Sequence, residues 1–185
     1  MIVIVAIFTT FITIPIPLTK GQFNIGDVGV FISGIFFGPL VGGIAGGVGS
    51  ALGDVFSGYV HYAPITFLVK GLEGFLTGLV YHYGLMRKNQ NREQKSLKEL
   101  LQFDIWRETQ KNELKIKHTL GLKIIGIIAG AIVMVLGYYT YQYFVYGPEA
   151  ALLEILPNIT QVSLGLIFAV IITQTIEPII KKEFL

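Results

Sequence analysis

The sequence predicts an all-α polytopic membrane protein with six transmembrane helices and both termini in the cytoplasm. Hydrophobic residues make up 52% of its 185 positions and charged residues only 14%, whereas a soluble domain carries about 25% charged residues. The 22 glycines are typical of helices that pack closely in lipid. The length suits one membrane domain over residues 1–185. Because there is no cysteine, disulfides and thiolate metal sites are excluded.

Six apolar segments follow one another along the chain. The first is shorter than the roughly 20 residues that cross a bilayer core, and Pro15 and Pro17 end it because proline blocks helix continuation. We therefore expect that this helix ends deep in the membrane or that the chain starts upstream of Met1, and we find no cleavable signal in it. The six segments are Ile2–Pro17, Val28–Phe37, Leu40–Ser57, Ala63–Tyr83, Leu120–Tyr143 and Asn158–Ile176.

The third segment, which follows the Gly38-Pro39 pair, carries glycines at helical spacing. They recur at intervals of 4, 3 and 4 residues, which places them on one face, where a partner backbone can approach closely. Asp54 follows this pattern, and a carboxylate in apolar surroundings needs a partner, such as Lys70 or a ligand. The glycines of this face are Gly42, Gly46, Gly49 and Gly53.

The fourth segment has a polar face within apolar sequence. Thr66, Lys70, Glu73 and Thr77 are spaced 4, 3 and 4 residues apart and therefore share one side of a helix. Lys70 lies about 10 Å below the helix start, at about 1.5 Å per residue. We expect it to pair with Glu73 or Asp54. Such a pair stabilises the structure and is also compatible with the rim of a pocket.

Residues 86–118 form the one water-soluble stretch, with nine of the chain's 14 lysines and arginines. Leu97, Leu100, Leu101 and Ile105 follow helical spacing, which predicts an amphipathic helix in a cytoplasmic loop, lying on the membrane surface or on a partner subunit. A solvated helical loop is the alternative.

The basic residues orient the chain. The loop after the fourth segment holds nine of them and the C-terminal tail two. The three predicted loops on the other side, Leu18–Asp27, Gly58–Pro64 and Gly147–Pro157, together hold only Lys20. Cytoplasmic termini then follow from six crossings. Polar residues converge on the outer half, where we expect a binding site for a small polar molecule. Its predicted residues are Gln22, Asn24, Asp27, Asp54, His61, Lys70, Glu73, Tyr138, Tyr141, Asn158 and Gln161.

Some of these residues have a plain structural alternative. Asp27 suits capping of the second helix as well as ligand contact, and His61 suits an ordinary loop position. Tyr138 and Tyr141 lie one turn apart and would wall a pocket or join an interfacial aromatic belt. A lone histidine does not indicate a metal site, and we expect no metal, cofactor or catalytic residue.

The stretch from Pro15 to Gly78 carries a family resemblance. Its motifs are IPIP before a polar loop, FNIGDVGVF, a GP turn, a glycine-rich helix ending in SALGD, YAP and KGLEG, with LGYYTYQYFVYG and LPNITQ later in the chain. Together they resemble the S components of energy-coupling factor (ECF) vitamin transporters, in particular the riboflavin-, pyridoxine- or hydroxymethylpyrimidine-type branch.

The resemblance implies a six-helix subunit that captures a vitamin or vitamin precursor at the outer face of a bacterial or archaeal plasma membrane. The loop between the first two helices would act as a lid. A transmembrane coupling subunit and two ATPase subunits would be its partners within the lipid bilayer. The chain has no GxxxxGK[ST] motif of its own, and we expect neither enzyme activity nor nucleic-acid binding.

Two other functions compete with transport. A membrane enzyme would need a motif such as HExxH or GxSxG, and the sequence contains neither. The other alternative is a membrane scaffold protein that binds no vitamin.

Overall fold

The computed structural model describes residues 1–16, 19–88 and 120–183 of the chain. These residues form five helices and one two-stranded antiparallel hairpin. In chain order the elements are helix α1 (Ile2–Phe11), strands β1 (Thr13–Ile16) and β2 (Gly21–Asn24), and helices α2 (Gly26–Phe56), α3 (Ala63–Lys88), α4 (Leu120–Tyr146) and α5 (Pro148–Glu183).

The prediction of six transmembrane helices is wrong. Within the described ranges, four of the five helices, α2 to α5, are long and apolar enough to cross a membrane by length and composition, with α2 counted as one helix across its break at Gly38, and α1 has only ten residues. The assignment of both termini to the cytoplasm rests on six crossings and loses that basis, whereas an all-helical membrane fold fits. The amphipathic helix predicted within residues 86–118 falls outside the described residues, except for the last turn of α3, and stays a prediction.

The second and third predicted segments are two arms of α2, which folds back on itself at Gly38-Pro39. Gly38 has φ 84° and ψ 179°, and positive φ is readily adopted only by glycine. Pro39 then begins the second arm with its φ already fixed near the helical value. The arms lie side by side, so that a Cβ on Gly42 would be 2.7 Å from the Cα of Gly34.

The first segment is helical only in its first part. After Phe11 the chain forms strand β1, which pairs with β2 so that Thr13 lies opposite Asn24 and Ile16 opposite Gly21. Pro15 is accommodated because a two-stranded hairpin consists of edge strands, where the missing N–H donor of proline is tolerated. The polar loop predicted after the first helix is thus partly a strand.

Glycines form the contact between α2 and α3, which confirms their predicted packing role. A Cβ on Gly42 would lie 2.6 Å from the carbonyl oxygen of Gly74, and one on Gly46 would collide with the carbonyl oxygen of Lys70. The α3 backbone around Lys70 therefore rests directly on α2. This close approach brings the Lys70 side chain within reach of Asp27 near the start of α2.

The prediction of a loop from Gly147 to Pro157 is wrong, because Gly147 (φ 95°) ends α4 and Pro148 begins α5 at the position where helices accept proline best.

The apolar core runs between the helices, and the outer surface is apolar as well. Large apolar side chains on α4 and α5 are exposed, as lipid contact requires: Ile128, Ile132, Leu136, Phe168 and Ile171. The core includes Phe31, Ile35, Val69, Tyr81, Ile127, Met134 and Ala169.

We predict that Gly74→Ala destabilises the protein although alanine is the better helix former. The added methyl group would meet the Gly42 carbonyl and lie 3.0 Å from Cγ1 of Val30, and overpacking of this kind costs about 1–3 kcal/mol. Thermal unfolding in detergent measures the effect. The matched control is Gly121→Ala on α4, where a Cβ has no neighbour within 4 Å, and its melting temperature should stay the same or rise slightly. Equal melting temperatures for the two variants would contradict the tight α2–α3 contact.

Candidate ligand-binding site

A polar cavity lies beneath the β-hairpin at one end of the helices. It encloses about 360 Å³ of atom-free space, part of it open to solvent, and the centre of a water molecule can reach only about 30 Å³ of that space. Strand β2 and helices α2 to α5 all contribute, together with the loop that precedes α3. The lining residues are Gly21, Gln22, Asn24, Asp54, Tyr62, Thr66, Tyr138, Gln142, Glu154, Asn158 and Gln161.

Helical spacing explains why so many polar groups meet here. On α5, Glu154, Asn158 and Gln161 follow at intervals of four and three residues, which aligns them on the face toward the hairpin. Tyr138 and Gln142 are likewise one turn apart on α4. On each of these helices, polar side chains one turn apart lie on the same face, so several of them meet in one space.

A buried charge cluster lies next to the cavity. The Lys70 ammonium, which is 1% exposed, pairs with Asp27, and its Nζ is 3.0 Å from Oε2 of Glu73. Gln161 donates from Nε2 to both carboxylate oxygens of Asp27 at 3.3 Å. Nζ of Lys70 also lies 5.8 Å from the centre of the Tyr138 ring, a cation–π distance. The cluster joins α2, α3, α4 and α5.

This cluster contains two carboxylates for one ammonium. Although Glu73 contacts Lys70, neither of its carboxylate oxygens has a hydrogen bond of good geometry within the described residues. Both carboxylates are fully buried, and an isolated buried charge is strongly unfavourable. Lys70 is therefore the group on which both acids depend.

The hairpin is attached to the helices by polar contacts from β2 and the residues just before it. Gln22 donates from Nε2 to Oδ1 of Asp54 at 2.5 Å, and the Asn24 backbone N–H donates to Oε1 of Gln161 at 3.0 Å. The Thr19 hydroxyl donates to the carboxylate of Glu154, which also lies so close to Gly21 that a side chain there would collide with it. The hairpin thus covers the cavity through contacts with α2 and α5.

An aromatic cluster borders the cavity on the side of the loop before α3. The rings of Tyr62 and Tyr141 are 5.4 Å apart, and His61 lies 4.8 Å from Tyr62. Gln142 donates from Nε2 to the Tyr62 hydroxyl at 2.6 Å. Burial raises the pKa of Tyr62 above its ordinary value, with Glu154 adding to the effect, so this phenol stays neutral and can donate and accept hydrogen bonds.

The structure brings most of the predicted site residues together. Gln22, Asn24, Asp54, Tyr138, Asn158 and Gln161 line the cavity. Asp27, Lys70 and Glu73 form the adjacent charge cluster. His61 and Tyr141 do not line the cavity and belong to the aromatic cluster, where the Tyr141 hydroxyl donates to the backbone carbonyl of His61 at 3.4 Å.

Two local predictions have a definite outcome. The Lys70–Glu73 ion pair is confirmed, whereas Asp54 accepts from Gln22 instead of pairing with Lys70. Asp27 does not cap α2, because the side chain of Asn24 accepts from the Gly26 N–H at 2.9 Å in its place.

Sequence reasoning missed four side chains that line the cavity: Tyr62, Thr66, Gln142 and Glu154. Glu154 precedes Asn158 by four residues, so an uninterrupted helix from Pro148 would have placed it on the same face. The interpretation of Pro157 as a loop residue concealed that signal.

Known proteins match this chain over most of its length. Residues 1–111, which contain α1, the hairpin, α2 and α3, match the family described as "ECF-type riboflavin transporter, S component". The chain is 36% identical over 163 residues to a Pyrococcus woesei protein described as an uncharacterised protein in a gap 3' region, covering 88% of this chain and 87% of that one. It is 24% identical over 166 residues to the thiamine precursor transporter HmpT of Lactococcus lactis subsp. cremoris, covering 89% and 76%.

We predict that Lys70→Met destabilises the protein by about 3–5 kcal/mol, because it leaves two buried carboxylates without their ammonium partner. Thermal unfolding in detergent and the yield of monodisperse protein report the loss. Lys20→Met is the matched control, since Lys20 is exposed in the hairpin turn, and it should unfold like the unaltered protein. A Lys70→Met protein that melts at the control temperature would contradict the role of the charge cluster.

Proposed function

The chain belongs to the family of S components of ECF-type transporters, and we propose that it captures a vitamin or vitamin precursor at the outer membrane face for ATP-driven uptake. Membership makes it a multi-pass membrane protein and a transport subunit. The ligand class, the side of capture and the coupling to ATP hydrolysis are parts of the proposal.

The observation that carries the proposal is the polar cavity under the hairpin. Ligand sites are concave spaces with a few converging polar groups, and here eleven residues from one strand, four helices and a loop converge. Asn158 is 6% exposed and lines the cavity, and its side chain makes no hydrogen bond to another described side chain. A free amide in the wall of the cavity is available to hydrogen-bond a ligand.

The side of capture follows from the basic residues. α3 runs from the cavity end to Arg87 and Lys88, about 39 Å away at about 1.5 Å per residue. By sequence, nine of the 14 lysines and arginines lie between positions 87 and 117 and two more at 181 and 182, whereas the hairpin turn carries only Lys20. Because basic residues accumulate on the cytoplasmic side, this distribution supports an outward-facing cavity.

The hairpin would act as the gate. A space that admits little more than water cannot take a vitamin with the hairpin in this position, so β2 has to move when the ligand enters. Its attachments to Asp54, Glu154 and Gln161 are hydrogen bonds at the cavity itself. A ligand that hydrogen-bonds to Asp54, Glu154 and Gln161 would replace the hydrogen bonds that the hairpin gives up. The free-energy cost of moving the hairpin would therefore be small.

The proposed partners are a transmembrane coupling subunit and two ATPase subunits. Their assignment rests on family membership and on the lack of a GxxxxGK[ST] nucleotide-binding motif in the sequence. The name of the Lactococcus relative, a thiamine precursor transporter, supports a vitamin precursor as the ligand class.

The direct test is thermal stabilisation of the purified protein by a panel of vitamins and precursors, combined with co-purification of ATPase subunits from cells of the source organism. We expect one compound of the panel to raise the melting temperature and an ATPase module to co-purify. If no compound stabilises the protein and no ATPase accompanies it, the proposal fails.

We further predict that Asn158→Ala weakens binding of the stabilising compound by about tenfold or more, since loss of one good hydrogen bond in a buried site costs about 1–2 kcal/mol. Isothermal titration or a thermal-shift titration gives the dissociation constant. The control is Thr160→Ala on the same helix, an exposed residue whose hydroxyl donates to the carbonyl of Leu156. Equal weakening by both variants would place the site elsewhere.

A further inference from the structure

The charged groups in the cavity wall are all hydrogen-bond acceptors. Asp54 and Glu154 each present a carboxylate to it, and both are nearly buried, at 2% and 4% exposure. Among the described residues that line the cavity there is no lysine, arginine or histidine. The cavity wall therefore carries negative charge without a positive counterpart of its own.

Two further acceptors in the wall lack a partner. Oε1 of Gln22 and Oε1 of Gln142 are buried and accept no hydrogen bond within the described part of the chain. The hydrogen bond from each Nε2 orients the amide group, because Nε2 of Gln22 donates to Asp54 and Nε2 of Gln142 donates to Tyr62. A buried carbonyl oxygen without a donor is costly, and a ligand with N–H or O–H groups would satisfy both.

The nearby ammonium of Lys70 does not reverse this bias. It is 1% exposed and is held by Asp27 and Glu73, so its charge is already compensated by two carboxylates. Lys70 is also absent from the cavity wall, where Tyr138 lies instead. An anionic ligand would thus meet two carboxylates and no free cation.

We propose that the ligand is an uncharged or cationic compound bearing hydrogen-bond donors, and that Asp54 and Glu154 determine this specificity and disfavour carboxylated analogues. In the structure the two carboxylates accept from Gln22 and Thr19 of the hairpin region. Donors of the ligand would replace these two hairpin donors when the gate opens. This inference rests on the proposed function, since it specifies the ligand of the same site.

The test compares probes that differ mainly in charge. The neutral probes are hydroxymethylpyrimidine, pyridoxine, nicotinamide and riboflavin. The anionic probes are the carboxylic acid formed by oxidising the hydroxymethyl group of the pyrimidine, pyridoxic acid, nicotinate, biotin and folate. We expect the tightest binder to be neutral or cationic, and its carboxylated counterpart to bind at least about a hundredfold more weakly, because like-charge juxtaposition costs several kcal/mol.

Variants assign the discrimination to the two carboxylates. Asp54→Asn and Glu154→Gln remove one charge each at nearly constant size. Each should weaken binding of the neutral probe about tenfold, or about 1.4 kcal/mol. Each should also reduce the difference in affinity between the neutral probe and its carboxylated counterpart. The matched control is Glu149→Gln, which removes the same charge from the exposed first turn of α5 and should leave both affinities unchanged.

The outcomes separate the two proposals. Tightest binding by a carboxylated probe, or unchanged discrimination in both cavity variants, overturns the acceptor inference while the proposed function stands. If the variants do not fold, the probe series on the unaltered protein decides alone. If no vitamin or precursor binds, the proposed function fails, and the inference fails with it.

Discussion

The arrangement depends on one ammonium group that is kept out of water and lipid alike. Lys70 lies between Asp27 and Glu73, and a charge at this depth is tolerated only when its partners are in place. Those partners come from α2 and α3, and Gln161 of α5 adds a hydrogen bond to Asp27. Glycines allow this geometry, because only their lack of side chains brings the Lys70 backbone against Gly46.

The ion pairs of the charge cluster lie outside the cavity wall, although the cluster and the cavity share Gln161 and Tyr138. Nε2 of Gln161 donates to Asp27, and its Oε1 accepts from the backbone of β2. One side chain thus connects the ion pairs to the hairpin. The Lys70 charge is compensated within the cluster, whereas the charged groups of the cavity wall are the carboxylates of Asp54 and Glu154. A lysine at the core of the bundle is therefore compatible with the proposed donor-bearing ligand.

Local patterns in the sequence predict local structure well and distant contacts poorly. The Lys70–Glu73 pair follows from a three-residue helical spacing, whereas the Lys70–Asp27 pair joins residues 43 positions apart and requires the fold. The break at Gly38-Pro39 is predictable from proline chemistry, but the return of the second arm along the first depends on tertiary glycine contacts. Glu154 was missed because Pro157 was interpreted as ending a loop, whereas Pro157 lies inside the continuous helix α5, where membrane helices tolerate proline.

The central claim is that the cavity beneath the hairpin holds a small donor-bearing vitamin-type molecule. Mass spectrometry of the compounds released on denaturing the protein, purified in detergent from cells grown on rich medium, tests it most directly. We expect one such compound, free of carboxylate groups, in stoichiometric amount from the unaltered protein and in clearly lower amount from the folded Asn158→Ala variant. Release of lipid alone, or of equal amounts of the compound from both proteins, would contradict it.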